Sequence, residues 1–90
     1  MSNERKHGVS FEDAALAFDA PFTLVEEDRS AGGEVRWRAL GLVADIGLVL
    51  VIHTSRYESE NEIIRIISAR RATPRERRHY AENYHNEFRR

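Results

Sequence analysis

The chain has 90 residues, no cysteine, 32% charged side chains and a formal net charge of −1. That length holds one domain with one thin core, and the lack of cysteine leaves neither a disulfide framework nor a thiolate metal site. The longest apolar stretch, Ile46 to Ile52, is far short of the roughly 18 residues of a membrane helix, and the first residues lack the layout of a secretion signal; a cytoplasmic protein with no membrane partner is expected.

The net charge conceals a division. Residues 1 to 60 carry 6 Lys/Arg against 11 Asp/Glu, whereas residues 61 to 90 carry 8 against 4. The basic C-terminal third is therefore suited to meet an anion.

In chain order, Lys6-His7-Gly8 reads as a helix end, with cations in the last turn and glycine in a left-handed C-cap. Ser10-Phe11-Glu12-Asp13 then has the pattern of a capping box, and Phe11, Ala14, Ala15 and Phe18 follow as one apolar stripe that Pro21 closes. Strands are expected at Phe22 to Glu26 and Val35 to Val43, joined by a turn at Ser30-Ala31-Gly32-Gly33. In the second, Val35, Trp37 and Ala39 alternate with Arg36 and Arg38, giving one apolar and one cationic face. The run Ile46 to Ile52 is apolar throughout, as a strand covered on both sides requires. A polar loop over Ser55 to Asn61 and a fourth strand over Glu62 to Ala69 complete an antiparallel meander with short connections. Thr73-Pro74-Arg75-Glu76 combines an N-cap threonine, proline at the first helical position and glutamate at the third, so a helix begins there. Its body places Arg77, Tyr80, Tyr84 and Phe88 along one stripe.

The segment from Arg65 to Arg78 contains six arginines, at 65, 70, 71, 75, 77 and 78, and one glutamate. Arginine suits phosphate because its planar fork donates two parallel hydrogen bonds and stays charged. Strict strand alternation puts Arg65 and Arg71 on one face and Arg70 on the other, so they reach one ligand only if the chain twists or bulges after Ser68. The plainer reading is a solvated basic face. The four histidines, at 7, 53, 79 and 85, form no metal-ligand spacing. His53 ends the central strand and His7 precedes the first capping box; either is a candidate acid or base, or an ordinary rim or helix-end residue.

Lys6-His7-Gly8-Val9-Ser10-Phe11-Glu12, then Glu34-x-Arg36 with Leu40-Gly41, then Ile64 to Thr73 with Glu76-Arg77 and Tyr80, resemble the BrnT family of bacterial ribonuclease toxins. The resemblance implies a RelE-like α+β fold: a small antiparallel sheet of about four strands with N-terminal and C-terminal helices packed on it, as one domain over residues 1–90. It further implies a type II toxin–antitoxin system in which the toxin cleaves RNA without a metal or cofactor and inhibits growth. The same resemblance implies that a BrnA-type antitoxin with a ribbon-helix-helix domain neutralises it in a hetero-oligomer, and that operator DNA is met only through that antitoxin. The strand and helix that usually precede the KHG block in the family are shortened here, which motivates a second reading: a toxin-derived partner in autoregulation that no longer cuts. Direct duplex DNA binding by the last helix is a third. For RNA cleavage the candidate catalytic residues are Arg65, Arg70, Tyr80, His7 and His53, and the candidate RNA-binding residues are Lys6, Arg36, Arg71 and Arg77.

Overall fold

The computed structural model describes residues 8–28 and 35–88, with side chains to residue 83. Its elements are helix α1 (Phe11–Ala15) running into a 3₁₀ turn (Leu16–Phe18), strands β1 (Leu24–Asp28), β2 (Arg36–Val43), β3 (Gly47–Glu58) and β4 (Asn61–Arg71), and helix α2 (Pro74–Phe88). The strands form one antiparallel sheet in the order β1-β2-β3-β4. This is the expected α+β meander, and among the described residues no helix is long and apolar enough to cross a membrane.

The expected central strand is covered on both sides. Val49 and Val51 point to the side of α1, where they pack with Val9, Ala14, Ala17, Ala39 and Val43. Leu48 and Leu50 point the other way and join Leu40 and Ala72, with Leu24, Ile52 and, from α2, Tyr80 packed against them. Alternation along a strand sends successive side chains to opposite faces, so an uninterrupted apolar run serves two cores. Full burial of a valine contributes about 1.5–3 kcal/mol, which makes Val49 and Val51, both fully buried, principal anchors of the α1 side.

Several local expectations are corrected. Gly8 forms an isolated antiparallel bridge to Arg70, and the Val9 N–H donates to the Ala69 carbonyl at 3.2 Å. This is the start of an extended segment along the β4 edge, not a helix C-cap; Lys6 and His7 lie outside the described residues, as does the Gly32-Gly33 turn. The Ser10 cap forms, with the Asp13 N–H donating to Ser10 Oγ at 3.0 Å. The buried face of the following helix is Ala14 and Ala17, whereas Phe11 is exposed and so is Ala15. Small residues face the sheet because the helix lies almost on it: a Cβ on Gly41 would stand 2.5 Å from the Ala17 carbonyl oxygen. The first strand begins at Leu24, because Phe22 takes a left-handed turn (φ 63°) and the Thr23 hydroxyl reaches back to the Ala17 carbonyl at 2.6 Å.

The largest correction concerns the region expected as a polar loop. Residues 55 to 61 extend the β3–β4 hairpin as far as the pair Glu58↔Asn61, and the reversal takes only Ser59-Glu60, with Ser59 at φ 58°. Polarity there reflects a sheet end that neither described helix covers, and a half-solvated hairpin needs no apolar run. At its other end β4 reaches Arg71, and Ala72 then tucks under α2, its N–H donating to the Leu48 carbonyl at 2.9 Å.

Candidate nucleic-acid interface

Which arginines can act together is decided by one irregularity in β4. The pairing runs Ile52↔Ser68 and then His53↔Ile66, so Ile67 is an extra residue without a partner of its own. Such a bulge reverses the facing of everything beyond it. Arg65 therefore lies opposite Thr54, and Arg70 opposite Leu50, both on the α2 side. Arg71, opposite Val49, lies on the α1 side. The expected division, Arg65 with Arg71 against Arg70, is thereby overturned, and the bulge stands just before Ser68 and not after it.

Strand β2 adds to the same side. Arg38 is opposite Ile52, and Arg36 two residues earlier shares its face. β2 and β4 flank β3, so their side chains stand two strand spacings apart, about 10 Å. Arg65 is exposed and makes no ion pair with a described residue. Arg36 is half-buried, and its Nε is enclosed without a hydrogen-bond partner among the described residues.

Glu76, at the third position of α2, ties this face to the helix. Arg70 donates from both terminal nitrogens to its carboxylate, at 2.9 and 3.0 Å, and Arg38 approaches the same group at 3.4 Å. The carboxylate also accepts from the Thr73 N–H at 2.9 Å, while the Glu76 N–H donates to Thr73 Oγ1 at 3.2 Å. This is the reciprocal capping box that the sequence predicts. The Arg70 fork, aided by the Thr73 N–H, overcomes partial burial and holds the Glu76 carboxyl well below the usual range, at about 2. The same bond raises Arg70, so both charges persist at any physiological pH.

Tyr80 packs into the Leu40, Leu48, Leu50 and Ala72 group, and its hydroxyl is enclosed. One residue before it, His79 Nε2 lies 2.9 Å from a Glu26 carboxylate oxygen on β1, a second tie between α2 and the sheet. Arg77 is exposed on α2.

His53 is separated from the arginines by the sheet itself. It lies opposite Trp37 and Ile66 on the α1 side, is only 4% exposed, and meets the Phe18 ring edge-on at 4.9 Å. It is an interior residue and not a rim one. Burial lowers its pKa, outweighing the Thr54 carbonyl and the charge of Glu62, which act in the opposite sense. Of the nine candidate residues, then, Arg36, Arg65, Arg70, Arg77 and Tyr80 share the α2 side, His53 and Arg71 lie on the other, and Lys6 and His7 are outside the described residues. Gly8, which follows His7 in the chain, bridges Arg70.

Two members of this face, Arg38 and Glu76, are missing from the sequence-based candidates. Glu76 is legible in sequence only as a helix start, and Arg38 only as half of an alternation; neither pattern says that they meet across 38 residues. A family model described as ribonuclease toxin, BrnT, of type II toxin-antitoxin system matches residues 1–76. The matched region ends at Glu76, so it includes the arginines of β2 and β4 but not Arg77 or Tyr80. Among curated proteins none matches the chain.

Proposed function

The chain belongs to the BrnT family of ribonuclease toxins of type II toxin–antitoxin systems, and on that premise we propose that it cleaves RNA internally, without a metal, on the α2 side of its sheet. One observation carries this reading: the bulge at Ile67, which turns Arg65 to the side of Arg70, Arg36 and Arg38. A ribose 2′-hydroxyl attacks the adjacent phosphate in line, and the 5′ oxygen of the next nucleotide leaves. Negative charge accumulates on the phosphorane oxygens, where fixed guanidinium groups stabilise it most. Arg65 and Arg70 take that role, and Arg36 and Arg77 hold neighbouring phosphates.

His53, across the sheet, cannot touch the same phosphate, which leaves His7 as the base or acid and Lys6 as a further phosphate ligand, both outside the described residues. Arg71, on the opposite side, serves RNA only beyond the reacting phosphate. Tyr80, with its hydroxyl enclosed, is a positioning residue that seats α2 and hence Glu76. The neutralising partner is a BrnA-type antitoxin with a ribbon-helix-helix domain, and operator DNA is bound through it. The reading is tested by incubating the purified chain with RNA in excess chelator: fragments ending in a 2′,3′-cyclic phosphate are expected, and cleavage no greater than that of Arg70→Ala contradicts it.

A further inference from the structure

The side of the sheet away from the arginines holds a feature that RNA cleavage leaves unused. Beyond the contact of Phe18 with His53, an open hollow of about 390 Å³ is lined by Val25, Trp37, His53, Ser55, Tyr57 and Glu62. The floor is apolar and aromatic, and Tyr57 is 70% exposed. Glu62 accepts a hydrogen bond from Ser55 Oγ at 2.5 Å. The register sets Glu62 beside Tyr57 and Glu27 beside Trp37 on this same side. Glu62 thus lines the hollow, and Glu27 adds a second negative charge on the same side of the sheet. Among the described residues no lysine or arginine shares this end of the face: Arg71 lies opposite Val49, six residues or about 20 Å down the sheet from Ser55.

The chemistry of an occupant follows. Phosphate is repelled by the carboxylates, and an aliphatic side chain would strip water from Glu62 without replacing its hydrogen bonds. A guanidinium meets both requirements, since it stacks on aromatic rings and donates in parallel to a carboxylate. We propose that this hollow is the docking point for an arginine side chain of the antitoxin, stacked on Trp37 and Tyr57 and paired with Glu62. The protein partner rests on the type II toxin reading; the ligand chemistry does not. The two faces of one sheet then divide the labour, the cationic one taking RNA and the anionic, aromatic one taking a basic segment of the partner protein.

Trp37 is the chain's sole tryptophan, so its emission reports on the hollow directly. The full chain is titrated with a short peptide bearing one central arginine, with the same peptide bearing neutral citrulline, and with oligouridine. The arginine peptide is expected to shift the emission saturably, with citrulline at least about tenfold weaker, as loss of a charged hydrogen bond implies, and Glu62→Gln erasing that difference. Equal binding of the two peptides, no response to arginine at 10 mM, or a shift with oligouridine alone overturns the proposal, the last making the hollow a base pocket. With the antitoxin of the pair, Glu62→Lys is expected to weaken the complex at least about tenfold while RNA cleavage is retained; unchanged affinity overturns the assignment to the antitoxin. Because these readouts are of binding, their failure is distinct from failure of the ribonuclease reading, which shows as absent cleavage.

Discussion

Arg70 and Glu76 form a two-pronged ion pair at 2.9 and 3.0 Å across the junction of β4 and α2, so one carboxylate caps the helix, docks it and offsets a cation of the surface proposed to meet RNA. Replacing Glu76 with Gln has two consequences of opposite sign. Stability falls by about 1–2 kcal/mol, allowing for solvent screening of the half-exposed arginines. RNA affinity rises, because the negative charge that offsets Arg70 and Arg38 is removed, and its salt dependence steepens. Urea unfolding and RNA binding at two salt concentrations check the pair of effects.

Acid destabilises the fold in two stages. His53 is held below its ordinary value by burial, so the unfolded chain binds its proton first; the stability it contributes is complete above about pH 6.5 and is lost as pH falls through the folded value. Glu76, held at about 2, likewise contributes stability above the ordinary carboxylate range and loses it as pH falls from about 4.5 toward 2. Melting temperature is expected to fall between pH 7 and 5 in the wild type and to stay nearly flat there in His53→Phe, with both falling below pH 4.5.

Gly41→Ala forces a Cβ to within 2.5 Å of the Ala17 carbonyl oxygen. Backbone on both sides cannot give way cheaply, and overpacking of this kind costs about 1–3 kcal/mol. Denaturant unfolding is expected to show that loss, whereas Leu42→Ala at the exposed neighbour stays within about 0.5 kcal/mol.

Much of the fold is legible in the residues themselves. The Thr73 box fixes the start of α2, the two-sided apolar run marks β3 as central, and the short connections dictate the meander. The facing of Arg65 is not legible, because it depends on a bulge at Ile67, and the isoleucine pairs 63–64 and 66–67 on either side of Arg65 give alternation no hold. The hairpin over 55 to 61 is hidden by its polarity, since strands beyond a helix's cover lose the apolar signal. The burial of His53 depends on Phe18 arriving from 35 residues away. The Ala14 and Ala17 face is obscured by larger neighbours that hydropathy favours, although close approach at Gly41 selects small side chains.

The central claim is that the arginines brought together by the Ile67 bulge form the cleaving surface. The most direct measurement is kcat/KM for RNA cleavage, in excess chelator, by Arg65→Ala beside its melting temperature. Arg65 is exposed and its removal leaves stability within about 0.5 kcal/mol. The expected result is a loss of about a hundredfold or more in kcat/KM at an unchanged melting temperature; cleavage at the wild-type rate by a folded Arg65→Ala would contradict the account.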